Sequence, residues 1–182
     1  FNADGLADIA YQRAGVVYMR LNNGSYFGGG TPSAEVQATG VTSSGGSLPI
    51  ADGALSPADF DGDGRTDLLV KYTSGGATDW CPYIYQPEGA GNDWIAAGCT
   101  GTATNAFPLD INGDRLTDLA FYRTVAPAGW YTRLSKGNVT FETDVFSGAT
   151  DPQPSRAVAL DYDGDGRDDL LHRNDGTVVS GS

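Results

Sequence analysis

Aspartate residues gathered in short, glycine-containing segments are the groups of this chain best suited to chemistry. Three segments share a nine-residue pattern with Asp or Asn at positions 1, 3, 5 and 9 and Gly at position 4: Asp59-Phe-Asp-Gly-Asp-Gly-Arg-Thr-Asp67, Asp110-Ile-Asn-Gly-Asp-Arg-Leu-Thr-Asp118 and Asp161-Tyr-Asp-Gly-Asp-Gly-Arg-Asp-Asp169. Alternating oxygen ligands with Gly between them allow a chain to wrap around a cation. Calcium takes about six to eight oxygens, whereas magnesium demands a tighter octahedral site. The pattern therefore predicts calcium binding.

The same pattern has a second interpretation, a hydrogen-bonded turn, because Asp and Asn side chains also accept bonds from their own backbone. One copy would leave both interpretations open. Three copies in register favour the metal, because without an ion the neighbouring carboxylates would repel one another and raise each other's pKa.

The candidate loops are not equivalent. Loop 110–118 has Asn112 in place of a carboxylate, and it has Arg115 where the other two loops have Gly64 and Gly166. If that position requires a positive φ, a residue other than Gly costs about 1 kcal/mol there. The N-terminal segment resembles the loops but offers fewer ligands: Asn2, Asp4, the Leu6 carbonyl oxygen and Asp8. We expect three calcium ions, or four if this segment also binds.

The loops belong to a repeat. The last Asp residues of the three full loops lie 51 positions apart, and Asp8 lies 59 positions before Asp67. An apolar strand follows each loop, and a short strand ending in Pro-Ala-Asp59, Phe-Pro-Leu-Asp110 or Val-Ala-Leu-Asp161 precedes each full one. A third strand is predicted at 18–24 and 131–137, and a weaker fourth at 25–27, 94–95 and 139–142. Four short strands per repeat indicate the blade of an all-β propeller. The predicted repeats are 1–50, 51–101, 102–152 and 153–182.

The composition limits the partners. The net charge is −12, and Asp outnumbers Glu by 20 to 3. This excludes nucleic acid, because phosphate binding needs clustered Lys and Arg. No apolar run is long enough to insert into a membrane. For Cys81 and Cys99, 18 positions apart, a disulfide is favoured over two free thiols, because calcium-dependent proteins usually act outside the cytosol.

The segment from Asp59 to Val70 resembles the calcium loop of FG-GAP/VCBS repeats, which form the propeller of integrin α-subunits and of many secreted proteins. The resemblance implies four-stranded antiparallel blades of about 51 residues in a six- to eight-bladed ring, commonly seven-bladed. Because 182 residues hold fewer than four full repeats, we expect a segment of a larger ring or a ring completed by another copy. The resemblance implies these ligands: Asp59, Asp61, Asp63, Arg65 (carbonyl), Asp67, Asp110, Asn112, Asp114, Leu116 (carbonyl), Asp118, Asp161, Asp163, Asp165, Arg167 (carbonyl) and Asp169.

The favoured function is a non-catalytic scaffold or interaction module of a secreted or cell-surface protein, with a protein or glycan ligand. A lectin is the first alternative, since Trp80, Trp94, Trp130, Tyr18 and Tyr131 could line sugar pockets, although core packing is the more common role of such aromatics. The strand pattern Tyr-x-Arg-Leu-x-x-Gly also resembles propeller modules of bacterial RHS-repeat and toxin-complex proteins. A non-catalytic part of a secreted hydrolase is a further alternative.

Catalysis is not expected. The chain contains neither a G-x-S-x-G nor an H-E-x-x-H motif. Its one histidine, His172, falls on a predicted strand, and its glutamates, Glu35, Glu88 and Glu142, lie outside the repeated pattern.

Overall fold

A computed structural model describes residues 1, 3–13, 16–22, 24, 36–37, 40–41, 55–74, 76–86, 94–149 and 157–172. All regular elements in these ranges are β-strands. The first sheet contains β1 (Ile9–Arg13), β2 (Val16–Arg20) and β3 (Val36–Gln37), paired antiparallel in that order. No helix able to cross a membrane occurs in the described ranges.

The second sheet is built around two long hairpin strands. It contains β4 (Gly40–Val41), β5 (Leu55–Ala58), β6 (Asp67–Ser74), β7 (Ala77–Tyr85) and β8 (Trp94–Ala96). Strands β5 to β8 form a four-stranded antiparallel meander, and the two-residue β4 adds a parallel pair at its β8 edge. The weak strand predicted at 94–95 is confirmed as β8.

The third sheet is a complete four-stranded antiparallel meander, and the fourth is described as one hairpin. The third contains β9 (Ala103–Leu109), β10 (Asp118–Arg123), β11 (Gly129–Arg133) and β12 (Val145–Phe146). The fourth contains β13 (Ala157–Leu160) and β14 (Asp169–His172). These sheets match the blade pattern predicted from the repeats. Of the other predicted outer strands, residues 25–27 lie outside the described residues.

The prediction of a strand at 139–142 is wrong. The chain reverses there instead: Glu142 N–H bonds to Leu134 O at 2.8 Å, and Asn138 accepts a bond from Thr140 N–H at 2.7 Å. Phe141 makes one isolated bridge to Ser135 and packs its ring on Phe60. The apolar alternation of this segment therefore reflects packing on the core, and the outer strand is β12, which pairs with β11.

The hydrophobic core lies between successive sheets. Side chains alternate along a strand, so Leu68 faces the first sheet, where it packs with Val17 and Met19. Its neighbour Leu69 faces the third sheet, where it packs with Leu119. Both faces of β6 are therefore buried, as stacked blades require.

A disulfide bond and a group of ion pairs hold the connection between the second and third sheets in place. The predicted disulfide Cys81–Cys99 is formed. Arg133 donates to the carbonyl oxygens of Gly98 and Cys99 at 3.2 and 3.3 Å and to Asp144 Oδ1 at 2.5 Å. Arg123 also binds Asp144. Burial alone would raise the pKa of Asp144, but its bonds to the two arginines outweigh this and lower it.

Candidate metal-binding loops

Each nine-residue loop joins the first two strands of a sheet. Pairing of Ala58 with Asp67 closes loop 59–67, and Leu109 with Asp118 and Leu160 with Asp169 close the other two in the same register. The antiparallel hairpin thus brings the first and last Asp of every motif together. This is the placement that the repeat pattern predicts.

The first Asp of each motif folds the loop around its own carboxylate. Asp59 accepts bonds from Gly62 N–H at 2.8 Å and from Gly64 N–H at 3.0 Å. The equivalent bonds recur in the other loops, from Gly113 and Arg115 to Asp110 and from Gly164 and Gly166 to Asp161. The hydrogen-bonded turn is therefore present in every full loop, and its bonds preform the coil that a bound cation would occupy.

Positions 4 and 6 of the motif require a positive φ. In loop 59–67, Gly62 and Gly64 have φ of 76° and 80°. Arg115 occupies position 6 of loop 110–118 with φ 71°, so the strain expected there is confirmed. In the N-terminal loop, Ala3 stands at position 4 with φ 57°. Two of the four loops thus contain one residue that their backbone disfavours.

Two loops bring three carboxylates together. Asp59, Asp61 and Asp67 offer oxygens that all lie within 4.8 Å of one another, and so do Asp161, Asp163 and Asp169. An all-oxygen donor set of this kind fits calcium, whereas a softer metal prefers thiolate or imidazole ligands. Among the described residues, loop 110–118 forms no such cluster, in keeping with its Asn112.

A third acidic grouping is not a metal site. Asp79 lies near Cys81 and Cys99, but these two sulfur atoms are bonded to each other and neither is a thiolate. Asp79 instead accepts bonds from Thr100 Oγ1 at 2.9 Å and from Gly101 N–H at 2.7 Å. Its role is to hold the connection between the second and third sheets.

The fifth-position carboxylates have other partners. Asp63 pairs with Arg65 across 2.5 Å, and Asp114 accepts a bond from the Asn112 amide at 2.9 Å. Asp165 lies outside the carboxylate cluster of its loop, accepts a bond from Arg167 N–H at 2.9 Å and lines a cleft between the third and fourth sheets. Ligation by these residues, and by the Arg65, Leu116 and Arg167 carbonyl oxygens, stays a prediction.

Buried carboxylates in these loops resist ionisation. Burial raises the pKa of Asp67 to about 7, and the charges of Asp61 and Asp59 add to the effect, against two backbone bonds that lower it. Burial also raises the pKa of Asp61, and the charge of Asp63 raises it further. Burial likewise raises the pKa of Asp118 to about 6. A bound cation would favour the ionised forms.

The last Asp of loops 59–67 and 110–118 also ties its loop to the end of the third strand of the sheet or to the residues just after it. Asp67 accepts bonds from Phe60 N–H and Tyr85 N–H, both at 2.8 Å. Asp118 does the same with Ile111 N–H and Ser135 N–H at 3.1 and 2.7 Å. Sequence reasoning missed this structural role, although the presence of this Asp in all four segments was a signal for it.

The N-terminal loop keeps the same arrangement. Asp8 accepts bonds from the Phe1 nitrogen at 2.9 Å and from Asn22 N–H at 2.7 Å, and Asp4 accepts one from Leu6 N–H at 2.8 Å. Asn2, the remaining predicted ligand, lies outside the described residues. Metal binding at this loop and at the Leu6 carbonyl oxygen stays a prediction.

Loops of successive repeats touch one another. Thr117 N–H bonds to Asp59 O at 3.0 Å, and Asp168 N–H bonds in the same way to Asp110 O at 2.7 Å. Leu116 packs so closely on Gly62 that a Cβ there would lie 2.5 Å from its Cδ2. The loops therefore form a continuous row along one edge of the stacked sheets.

The aromatic candidates are mostly core residues. Trp80 and Trp94 are buried within the two hydrophobic clusters, and Tyr18 stacks on Tyr11. Trp130 and Tyr131 are also largely buried, but they line a cleft of 490 Å³ between the third and fourth sheets. Residues of loop 161–169 line its other side, among them Arg167 and Asp168.

Successive antiparallel sheets, two of which contain four-stranded meanders, with Asp-rich loops on one edge are typical of propeller-type repeats. Residues 1–70 and 110–172 match the FG-GAP-like repeat model, and residues 52–91 match the FG-GAP repeat model. The chain therefore belongs to the FG-GAP repeat family, as its motifs predicted. Searches of curated proteins and of solved structures found no match.

Proposed function

We propose that the chain is a calcium-binding, non-catalytic interaction module of an extracellular protein. The observation that carries the proposal is the cluster of Asp59, Asp61 and Asp67, which recurs as Asp161, Asp163 and Asp169. The formed disulfide supports an extracellular location, because such bonds persist in oxidising compartments.

Calcium, when bound, supplies positive charge that offsets the repulsion among the clustered carboxylates. The chain's own residues supply the rest. Asp59 curls the loop through two backbone bonds, and Asp67 fastens it to Tyr85 at the end of β7. Thr117 joins this loop to the next one in the row. We infer that the ion rigidifies the loop edge, and that partners bind to the ordered surface.

A thermal melt in calcium and in EGTA tests this proposal. Ligand binding to the folded state raises its stability by RT ln(1 + [Ca]/Kd) for each site, so we expect a higher melting temperature in calcium. Asp61→Asn and Asp163→Asn, one in each cluster, should each reduce the shift, while Asp114→Asn, in the loop without a cluster, should reduce it less. An unchanged midpoint with and without calcium would contradict the proposal.

A second candidate function is carbohydrate binding in the cleft between the third and fourth sheets. The cleft combines the aromatic side chains of Trp130 and Tyr131 with the charged Arg167 and Asp168. Sugars offer both an apolar face for aromatic rings and hydroxyls for charged groups. Glycan-array binding that is lost in Arg167→Ala but kept in Arg65→Ala would support it, because Arg65 holds the same motif position outside the cleft. Equal binding by both variants would argue against it.

We infer that the chain is a module of a larger host protein. A bacterial RHS-repeat or toxin-complex protein stays a prediction that rests on the resemblance of one strand pattern, and a secreted hydrolase stays a further alternative. The mass of the native protein from its source, measured with an antibody to this chain, would distinguish an isolated module from part of a larger protein.

A further inference from the structure

The turn between β11 and β12 contains a three-residue pattern that is unrelated to the metal-binding loops. Asn138-Val-Thr140 has an asparagine, then a residue other than proline, then a threonine. This is the acceptor pattern for N-glycosylation in secreted proteins. A second copy begins at Asn23, which lies outside the described residues. Three residues match by chance in many chains, so the setting of Asn138 in the fold decides whether it suits modification.

The two functional side chains of the pattern lie away from the core. Asn138 and Thr140 are exposed, whereas Val139 and Phe141 pack against the hydrophobic cluster between the second and third sheets. The preceding Gly137 is exposed as well. N-linked sugars are bulky and belong on the surface. A sugar on Asn138 would therefore extend into solvent without displacing a core side chain.

Hydrogen bonds hold the amide of Asn138 in one orientation. Its Oδ1 accepts the Thr140 N–H at 2.7 Å and the Thr140 hydroxyl at 2.5 Å. Because a backbone N–H can only donate, the amide atom that faces it is the oxygen, and Nδ2 lies on the other side of the amide. No described residue accepts a hydrogen bond from this Nδ2. The nitrogen that would carry the sugar is therefore not held by the part of the protein that the structure describes.

Asn112 is an exposed asparagine that lacks these features. Its Oδ1 accepts the Asp114 N–H at 2.9 Å, so it also lies in a turn. Its Nδ2, however, donates to the Asp114 carboxylate at 2.9 Å, and the residue two positions on is this aspartate rather than Ser or Thr. Exposure and a turn therefore do not by themselves make an acceptor, and Asn138 adds the hydroxyl and the uncommitted nitrogen to them.

We propose that Asn138 is an N-glycosylation site. The proposal rests on the extracellular location proposed above, because the acceptor pattern is used on the secretory route, where the Cys81–Cys99 disulfide also persists. The donor is an oligosaccharide linked through its C1 atom to a lipid pyrophosphate. The Nδ2 atom forms a bond to C1, the C1–O bond breaks, the lipid pyrophosphate leaves with that electron pair, and one Nδ2 proton passes to a base of the transferase.

Mass spectrometry of the native protein tests the proposal. Trypsin cleaves after Lys136 and Arg156, and the fragment 137–156 contains Asn138 as its only asparagine. The protein is captured from its source with an antibody, and the digest is treated with peptide N-glycosidase in water labelled with heavy oxygen. We expect the fragment to appear only after this treatment, with Asn138 converted to an aspartate that carries one heavy oxygen. An unmodified fragment before treatment would overturn the proposal.

Variants secreted from a eukaryotic host test the part played by the threonine. Asn138→Gln and Thr140→Ala should both lose the sugar from fragment 137–156, whereas Thr140→Ser, which keeps the hydroxyl, should retain it. Circular dichroism verifies that each variant folds, which we expect because both positions are exposed. A sugar that persists in Thr140→Ala, or that is absent from the wild type, would overturn the proposal.

Failure of this proposal and failure of calcium binding give different results. Asn138→Gln should keep the calcium-dependent melting shift of the wild type, because Asn138 belongs to neither carboxylate cluster. An unmodified fragment with an intact calcium shift would overturn only the glycosylation site, and a modified fragment without a calcium shift only the metal. Recovery of the native protein solely from the cytosol would overturn both the glycosylation site and the extracellular location.

Discussion

The backbone of Asp59 exchanges two hydrogen bonds with Thr117, although 58 positions separate them. Asp59 O accepts the Thr117 N–H at 3.0 Å, and Asp59 N–H donates to Thr117 Oγ1 at 3.2 Å. Asp110 and Asp168 form the same pair of hydrogen bonds one repeat later, and there the Asp168 carboxylate takes the place of the threonine hydroxyl. Position 8 of the motif thus fastens loop 110–118 to loop 59–67 and loop 161–169 to loop 110–118.

Removing the Thr117 hydroxyl should weaken this link between the two loops, because one of its two hydrogen bonds is lost. Thr117→Val keeps the shape of the side chain but leaves the half-buried Asp59 N–H without a partner, which we expect to cost about 1 kcal/mol in the free energy of unfolding. Thr117→Ser retains the hydroxyl and should lose less than half of this amount. Urea denaturation of the three proteins measures the difference. Equal stability of the Val and Ser variants would show that the bond contributes nothing.

Relief of strain at Arg115 should stabilise the chain. Its φ of 71° is disfavoured for a side chain with a Cβ, and the equivalent Gly64 and Gly166 adopt the same conformation freely. Arg115→Gly should therefore raise the free energy of unfolding by about 0.5 kcal/mol, after the greater chain entropy of Gly in the unfolded state is subtracted. Arg115→Ala removes the charge but keeps the strain, so it should show no such gain. Thermal unfolding in EGTA compares the three, and a gain shared by both variants would assign the effect to charge.

Stability without metal should depend on pH through Asp67. Because its pKa is raised to about 7 in the folded state, the folded chain holds a proton that the unfolded chain releases above about pH 4. The free energy of unfolding in EGTA should therefore fall as the pH rises from about 4 to 7. Asp67→Asn, which cannot titrate, should make this slope smaller, and Asp118, whose pKa is raised to about 6, should contribute part of the slope that remains. Denaturation curves at several pH values test it, and a rise in stability over this window would contradict the assignment.

Asp144 should contribute through its two arginines. Asp144→Asn leaves the nearly buried Arg133 without its counter-ion, and we expect a loss of about 2 kcal/mol. Glu142→Gln is the matched control, because Glu142 pairs with Lys136 at 3.3 Å on the exposed surface and should change stability by less than about 0.5 kcal/mol. The pKa of Asp144 is lowered, so its contribution is present above the ordinary value of 3.8 and is lost as the pH falls below it. Similar losses in both variants at pH 7 would contradict a special role for Asp144.

The repeated parts of the fold could be predicted from the sequence because they depend on local pattern. The strands that flank each full loop, the positive φ at Arg115 and the pairing of Cys81 with Cys99 follow from spacing, turn chemistry and compartment. The outer strand at 145–146 was missed, because the apolar residues Val139 and Phe141 look like a strand but pack on the core.

The contacts between repeats could not be predicted, because they depend on how the sheets stack. The hydrogen bonds between Thr117 and Asp59 and the packing of Leu116 on Gly62 join residues more than 50 positions apart. The pairing of Asp63 with Arg65 is local, but a motif that assigns every Asp to the metal gives no reason to expect it.

Calcium titration by isothermal calorimetry tests the central claim most directly. We predict saturable binding to the metal-free wild-type chain at two or more sites, with Asp61→Asn and Asp163→Asn each removing one site and the double variant removing both. The two carboxylate clusters place these residues in separate loops, so their effects should add. Absence of saturable heat in the wild type at millimolar calcium, or unchanged binding in the double variant, would contradict the assignment of these loops as calcium sites.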